Sequence, residues 1–388
     1  MNSFIFYNPV KIYFGLNSFE KIGSEIKSYG IKKIMFLYGK GSIFKNGAYE
    51  AATASLKKHS IEFIEYGGIK PNPILSKVIE AAEICKRENI EGILAIGGGS
   101  VVDSAKAIGA QSKVEWNIWE AFEGKRKASE SLPIFVGLTL SATGSEMNQW
   151  AVITNEKENK KWSFTAGHAS FPKASFLDPK YQYSLPKEQT IYGAIDALSH
   201  IFELYFDPSE GTEIQDELSE GISRVIMNNV KILINKPDDY EARSQLIWSA
   251  TLALNGILTA GKTYGDWATH EIEHSLSAFY DIAHGAGLAI VFPAWMKYIA
   301  SEFPDKFARF GEKVFQIQGN DKFEKANAMI DKLLNFYKEI GAPTTLREVN
   351  ISESEIEKLA ENVAIKAPIG NRKKLYKEDI IKILKLAL

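Results

Sequence analysis

Histidine and aspartate residues that could bind a divalent metal are concentrated in one stretch of the chain. Of its six histidines, His200, His270, His274 and His284 lie in this stretch. Asp196 precedes His200 by four residues, so on a helix both side chains project from one face and could bind one ion. A carboxylate combined with imidazoles suits iron(II) or zinc, whereas magnesium prefers oxygen ligands. The spacing predicts a metal site but does not decide whether His274 or His284 completes it.

The same stretch contains a competing motif, because His270 to His274 reads His-Glu-x-x-His, the pattern of zinc metallopeptidases. In that interpretation Glu271 would be the general base. Glu273 argues against it, since a charge occupies an inner position that is normally uncharged in these peptidases. Ser277 stands where the extended motif requires glycine. We therefore disfavour a peptidase.

One glycine-rich segment could hold the phosphates of a nucleotide cofactor. Gly97, Gly98, Gly99 and Ser100 lie directly between a strand-like and a helix-like segment. Glycines allow the backbone to approach a pyrophosphate closely, and the N-terminus of a helix offers unpaired N–H groups. Ser100 and Asp103 have the spacing of a helix-capping pair. The segment predicts a phosphate-binding turn.

A second turn follows an earlier strand-like segment and consists of Gly39, Lys40, Gly41 and Ser42. It departs from the usual dinucleotide fingerprint, which would require glycine at the position of Phe44. Ligands of parallel sheets lie beyond the carboxyl ends of the strands, so two such turns together favour a nucleotide site. A nucleotide-binding sensor with a structural metal is the non-enzymatic alternative.

The elements that must position these residues differ between the two halves of the chain. Residues 1-185 alternate strand-like and helix-like segments at the interval of about 30 residues that is typical of βαβ units. This pattern predicts a parallel α/β domain. Residues 186-388 follow the helical period almost throughout and predict an all-α domain. The strand-like segments are 31-39, 61-68, 91-100 and 132-146.

The composition is that of an ordinary globular protein, with 45% hydrophobic and 24% charged residues and a net charge of -2. The 46 basic residues are balanced by 48 acidic ones, so nothing favours nucleic acid as a partner. Cys85, the single cysteine, lies on the apolar stripe of a helix-like segment, where we expect it to be packed and unreactive. No stretch approaches the roughly 18 apolar residues of a membrane span, and we expect a cytoplasmic protein.

Over essentially its whole length the sequence resembles the iron-containing (group III) alcohol dehydrogenases, in particular their butanol dehydrogenase branch. The resemblance implies a Rossmann-like α/β N-terminal domain, a helical C-terminal domain and an overall architecture like that of dehydroquinate synthase. It further implies an NAD- or NADP-linked enzyme for small primary alcohols and aldehydes such as butanol and butanal. A homodimer is also implied, for which residues 2-14 could supply edge strands. The motifs that carry the resemblance are GGGSVVDSAK (97-106), LTLSATGSEMN (138-148), LDP (177-179), AIDALSH (194-200) and the histidine segment 270-287.

The resemblance also implies the ligands of the metal, with iron(II) favoured and zinc as the alternative. Asp196, His200, His270 and His284 would bind the ion, and His274 would lie beside them near the nicotinamide. We expect His274 to relay a proton. With one carboxylate and neutral imidazoles, a divalent site would be net positive.

By the same resemblance, the turn from Gly97 to Ser100 would hold the cofactor pyrophosphate. NAD-linked relatives carry an acidic residue at the position of Gly39, where it binds the adenosine ribose. Its absence favours NADP over NAD, and Lys40 could pair with the 2′-phosphate. The other cofactor contacts implied are Asn72, Asp103, Thr139, Leu140, Thr143 and Lys161.

Overall fold

The computed structural model describes all 388 residues, and the chain divides into two compact units. The α/β unit consists of Tyr7–Pro186 and Asn235–Asn255. The helical unit consists of Met1–Phe6, Lys187–Ile234 and Gly256–Leu388. None of the helices combines the length and the apolar character needed to cross a membrane.

A six-stranded parallel sheet forms the centre of the α/β unit, with the strand order β1-β8-β5-β4-β2-β3. Strands β4, β5 and β8 are buried along their whole length, which explains why their sequences are nearly continuously apolar. A separate antiparallel pair, β6 and β7, lies outside this sheet. The strands are β1 (Lys11–Phe14), β2 (Lys33–Tyr38), β3 (Glu62–Tyr66), β4 (Gly92–Gly97), β5 (Ile134–Leu138), β6 (Ala151–Asn155), β7 (Lys160–Phe164) and β8 (Ala174–Leu177).

Each strand-like segment named from the sequence contains one strand of the sheet, so the parallel α/β fold of this unit is confirmed. The helices that belong to the unit alternate with the strands, except for one that comes from the later segment of the chain. They are α1 (Ile22–Ser28), α2 (Ser42–Lys45), α3 (Ala48–Lys58), α4 (Leu75–Arg87), α5 (Gly99–Gln111), α6 (Trp119–Phe122) and α9 (Tyr240–Ala253).

The prediction of edge strands over residues 2-14 is wrong for most of that segment. Only Lys11–Phe14 forms a strand, and it pairs in parallel with Ala174–Leu177 at one edge of the sheet. Residues 2–10 form no strand, and the Asn2 N–H donates to the Gly261 carbonyl at 2.9 Å.

The helical unit is built from helices throughout, which confirms the all-α prediction for this part of the fold. Helix α11 runs through the core with nearly every residue buried, so its sequence is apolar on all sides rather than on one stripe. The helices of this unit are α7 (Lys187–Tyr205), α8 (Glu213–Leu233), α10 (Ala268–Tyr280), α11 (His284–Ala300), α12 (Pro304–Phe315), α13 (Lys322–Ile340), α14 (Ile356–Ala364) and α15 (Lys377–Leu386).

Cys85 lies on α4 with 2% of its surface exposed, and its Sγ is 3.8 Å from Sδ of Met35. Burial raises the pKa of the Cys85 thiol to about 11, so almost no thiolate is present at neutral pH. We expect iodoacetamide at pH 8 to alkylate the folded protein about 100-fold more slowly than the urea-unfolded chain. Mass spectrometry of timed samples measures the rates, and equal rates would contradict this burial.

Candidate active site

Helix α7 places three polar side chains on one face inside the helical unit. Asp196, His200 and Glu203 are four and three residues apart along the helix, so they project in similar directions. All three are buried, with exposed fractions of 3%, 5% and 1%. His200 Nε2 lies 3.7 Å from Asp196 Oδ1, which confirms that these two side chains converge.

Glu203 connects α7 to the start of α10 and orients His270. Its carboxylate accepts hydrogen bonds from Nδ1 of His270 at 2.8 Å, from the backbone N–H of Trp267 at 2.5 Å and from the Thr269 hydroxyl. Burial raises the pKa of Glu203 to about 7, although these hydrogen bonds oppose the shift. Because Nδ1 of His270 is engaged, Nε2 is the ring nitrogen that can bind a metal.

His284 is the first residue of α11 and approaches Asp196 from another direction. Its Nε2 lies 3.6 Å from Asp196 Oδ1, and its Nδ1 forms a hydrogen bond with the carboxylate of Glu273. Glu273 lies on α10 with no exposed surface and also accepts the Ser277 hydroxyl hydrogen bond. His284 is held in the same way as His270, by a carboxylate on Nδ1.

The potential ligand atoms of Asp196, His270 and His284 all lie within 4.8 Å of one another. His200 adjoins this group through Asp196, and its ring stacks on that of His270 with centroids 5.1 Å apart. Burial and the neighbouring histidines lower the pKa of His200 well below its usual range, so its imidazole is neutral. A carboxylate oxygen together with imidazole nitrogens fits a first-row divalent cation.

His274 occupies a different position from the other histidines. Its ring centroid is 5.6 Å from that of His284, and its ligand atom groups with Glu273 and His284 rather than with Asp196. The geometry therefore brings His284, not His274, to Asp196 and His270, which the spacing alone left open.

The prediction of a net positive site counted one acidic side chain, and the structure adds two more. Glu203 and Glu273 add two buried carboxylates next to His270 and His284, so Asp196 is not the only acid in the cluster. Glu203 follows Asp196 by seven residues on the same helical face, which is a signal that the sequence contained. The sequence analysis noted the charge of Glu273, but only as an argument against a peptidase.

Glu271 is not arranged as a peptidase base. Both oxygens of its carboxylate accept hydrogen bonds from Nζ of Lys366, at 3.0 and 2.8 Å. A carboxylate in an ion pair of this kind is not positioned to activate a water molecule.

In the α/β unit, Gly97 ends β4 and Gly98 is the N-cap of α5. A Cβ atom at Gly98 would lie 3.0 Å from Cβ of Leu140, and one at Gly99 would overlap the side chain of Thr143. Glycine is therefore required for the turn to pack against the segment after β5. The structure thus places Gly98, Gly99, Leu140 and Thr143, all named from the sequence, next to one another.

The predicted capping pair of Ser100 and Asp103 does not form, because α5 begins at Gly99 and has no side-chain cap. The Asp103 carboxylate instead accepts hydrogen bonds from the Ser145 hydroxyl at 2.5 Å and from the Val152 N–H at 2.9 Å. Lys106, which is fully buried, also donates to the Ser145 hydroxyl at 2.6 Å. These bonds fix α5 to the segment that follows β5.

Three further predicted cofactor residues form local contacts in the same unit. Thr139 donates its backbone N–H to the Gly97 carbonyl at 2.9 Å, because β4 and β5 are neighbours. Lys161 Nζ lies 3.0 Å from Asn72 Oδ1, and both side chains are buried.

The second turn follows β2, the neighbour of β4 on its other side. Gly39, Lys40 and Gly41 follow the end of this strand, and Ser42 begins the short helix α2. Parallel strands align their carboxyl ends, so both turns lie at one edge of the sheet. Lys40 is exposed at this edge.

Two family models match the chain in succession. Residues 9–179 match the family described as iron-containing alcohol dehydrogenase, and residues 190–388 match the C-terminal part of the Fe-containing alcohol dehydrogenase family.

Individual relatives match this chain over nearly its full length. The NADH-dependent butanol dehydrogenase A of Clostridium acetobutylicum is 42% identical over 390 residues, covering 99% of both chains. The NADPH-dependent aldehyde reductase YqhD of Escherichia coli is 33% identical over 359 residues, covering 92% of this chain and 91% of that protein. The crystal structure of NADH-dependent butanol dehydrogenase A from Thermotoga maritima superposes with a TM-score of 0.97 at 52% identity, covering 100% and 99% of the two chains.

The agreement extends over both units and includes the segments that hold the glycine turns and the histidine cluster. The chain belongs to the iron-containing alcohol dehydrogenase family.

Proposed function

We propose that the protein is a metal-dependent, NAD(P)-linked alcohol dehydrogenase and aldehyde reductase for small primary alcohols and aldehydes such as butanol and butanal. The reaction converts RCH₂OH and NAD(P)⁺ to RCHO, NAD(P)H and a proton. The observation that carries the proposal is the convergence of Asp196, His270 and His284, whose ligand atoms lie within 4.8 Å of one another in a buried site.

Asp196, His200, His270 and His284 would hold the metal, with iron(II) favoured and zinc as the alternative. A bound divalent ion would supply Lewis-acid polarisation of the alcohol or aldehyde oxygen. The chain prepares this site by keeping the imidazole of His200 neutral through burial, so that its nitrogen lone pair is available to a metal.

His274 would move the proton that leaves the alcohol hydroxyl. Its ring lies beside that of His284 but outside the group formed with Asp196, which supports a place near the reacting oxygen and not among the ligands. An imidazole is the side chain best suited to accept and return a proton near neutral pH.

Trp267 supports a substrate with a short alkyl chain. Its ring centroid lies 5.1 Å from that of His270 and 6.3 Å from that of His200, which gives the metal cluster an apolar aromatic neighbour. Such a surface favours carbon chains over charged substrates.

The cofactor would bind at the carboxyl edge of the parallel sheet. Gly98 and Gly99 lie at the N-terminus of the 13-residue helix α5, where unpaired backbone N–H groups would bind a pyrophosphate. NADP is favoured because Gly39 has no carboxylate to repel a 2′-phosphate, and Lys40 is an exposed cation next to it. NAD is expected to be accepted as well.

We also propose that the protein is a cytoplasmic homodimer. Support for association comes from apolar side chains in Met1–Phe6, where Ile5 is 96% exposed and Phe4 is 52% exposed. Adjacent exposed apolar side chains of this kind favour contact with a partner surface.

The decisive test follows absorbance of NADPH or NADH with butanal, before and after a chelator-treated sample is loaded with iron(II) or zinc. We expect turnover only in the loaded sample. His200→Ala and His270→Ala should lose metal and activity together, whereas His274→Ala should keep its metal and lose about 10²- to 10⁴-fold in turnover.

Full metal occupancy in His270→Ala would contradict the ligand assignment. Binding of NADPH or NADH without its oxidation by butanal would support a nucleotide sensor. Cleavage of casein that a chelator blocks would support a peptidase.

Lys40→Ala tests the cofactor preference. We expect KM for NADPH to rise about two- to five-fold, as for the loss of one exposed ion pair, with KM for NADH unchanged. Lys32→Ala is the matched control, because Lys32 is exposed immediately before the opposite end of the same strand. An equal rise in KM for NADPH and NADH, or no rise in either, would refute the pairing of Lys40 with the 2′-phosphate.

Light scattering coupled to size exclusion tests the dimer. A chain of 43.3 kDa should elute at twice that mass, and Ile5→Asp should shift the equilibrium toward the monomer. A wild-type protein that is monomeric at micromolar concentration would show the dimer proposal to be wrong.

A further inference from the structure

We propose that Glu273 is a positioning residue of the metal site and that Gly287 is glycine in order to make room for it. This inference rests on the metal site proposed above, but it concerns residues outside the proposed ligand set. The carboxylate of Glu273 would hold His284 so that Nε2 faces Asp196, and thereby set how tightly the site keeps its metal.

His284 needs such support more than the other ligands do. It is the first residue of α11, and its side chain is 22% exposed, compared with 4% for Asp196 and 6% for His270. A ring at the end of a helix is held by fewer neighbours than a ring in the middle of one. The hydrogen bond between its Nδ1 and the Glu273 carboxylate fixes both the ring orientation and the tautomer.

Glu273 is itself held in place. The side chain is entirely buried, and the hydroxyl of Ser277, one turn further along α10, donates to its Oε1 while Oε2 bonds to His284. A carboxylate in the interior is costly unless hydrogen bonds and a nearby positive charge compensate it. A cation held by His284 would provide that charge.

The glycines after His284 explain how this carboxylate fits. A Cβ atom at Gly287 would lie 2.7 Å from Cγ and 2.8 Å from Oε1 of Glu273, closer than real side chains approach. Gly285 has a different role, because a Cβ there would meet the backbone of Tyr192 on α7. The His-Gly-x-Gly sequence thus combines one glycine for helix packing with one for the buried carboxylate.

The same arrangement occurs a second time in the cluster, which argues that it is a requirement of the site. Glu203 holds Nδ1 of His270 at 2.8 Å from a different helix. By contrast, Nδ1 of His200 is buried without a hydrogen-bond partner. A carboxylate on the far nitrogen makes an imidazole a stronger donor to a metal and commonly changes metal affinity by 10- to 100-fold.

The test measures metal affinity of the full chain directly, by competition between the protein and a chromophoric chelator for zinc. We expect Glu273→Gln to weaken binding about 10-fold, because the amide can accept the hydrogen bond but has no charge, and Glu273→Ala about 100-fold. Gly287→Ala should resemble Glu273→Ala. The visible spectrum of the cobalt(II)-loaded protein should change in all three variants.

Matched controls separate this effect from general damage. Glu271→Gln removes the same charge from the same helix at the ion pair with Lys366. Gly221→Ala adds a Cβ to a helical glycine of the same unit whose nearest neighbour would be 3.8 Å away. Both should bind zinc as the wild type does and leave the cobalt spectrum unchanged.

Wild-type zinc affinity in Glu273→Ala would overturn the inference while leaving the proposed function intact. Two zinc ions per wild-type chain and one in Glu273→Ala would also overturn it, because Glu273 would then be a ligand. A wild type that binds no metal would refute the proposed function itself. If Glu273→Ala fails to fold, the isosteric Glu273→Gln variant decides.

Discussion

The helical unit depends on burying several carboxyl groups and imidazoles together in its interior. Asp196, Glu203 and Glu273 each bring a carboxyl group into the interior, and each is in contact with a histidine. The hydrogen bonds of these carboxyl groups determine how helices α10 and α11 begin. Glu203 satisfies backbone N–H groups where α10 begins, and the first turn of α11 places His284 against Glu273. The two helix starts are therefore part of the site as much as the side chains are.

The sequence predicted the parts of this site that depend on local geometry. Asp196 and His200 are four residues apart on one helix, and their convergence follows from the helical period alone. The choice between His274 and His284 did not follow from spacing, because it depends on how the connection between α10 and α11 turns the second helix. Glu273 was recognised only as an unusual charge inside the His-Glu-x-x-His motif, and its partner His284 is eleven residues away on another helix. Contacts across a turn of this kind are set by tertiary packing, which no periodicity encodes.

The glycine-rich turn after β4 was likewise predicted correctly in its local features and incorrectly in its distant contacts. A strand, a glycine run and a helix were predicted in the right order, since apolar runs and glycines have strong local preferences. The predicted role of Asp103 as a capping partner of Ser100 was wrong, because Ser145 and Val152 offer better hydrogen-bond partners from distant positions in the chain. The order of strands in the sheet and the membership of Asn235–Asn255 in the α/β unit were equally inaccessible. A helical pattern indicates a helix but not the neighbours that it will contact.

The presence of Asn235–Asn255 in the α/β unit has a consequence for the order in which the protein can fold during synthesis. The chain crosses between the two units four times, since each unit contains a segment from beyond its main stretch of sequence. The α/β unit cannot complete its packing when residue 186 leaves the ribosome, because the Thr251 hydroxyl that donates to the buried Glu146 carboxylate has not yet been synthesised. Residues 1–6 belong to the helical unit, and the bond from the Asn2 N–H to the Gly261 carbonyl cannot form until residue 261 has been synthesised. The α/β unit can therefore complete its packing only after Asn235–Asn255 has been synthesised, when Lys187–Ile234 of the helical unit is already present, unlike an independent N-terminal domain.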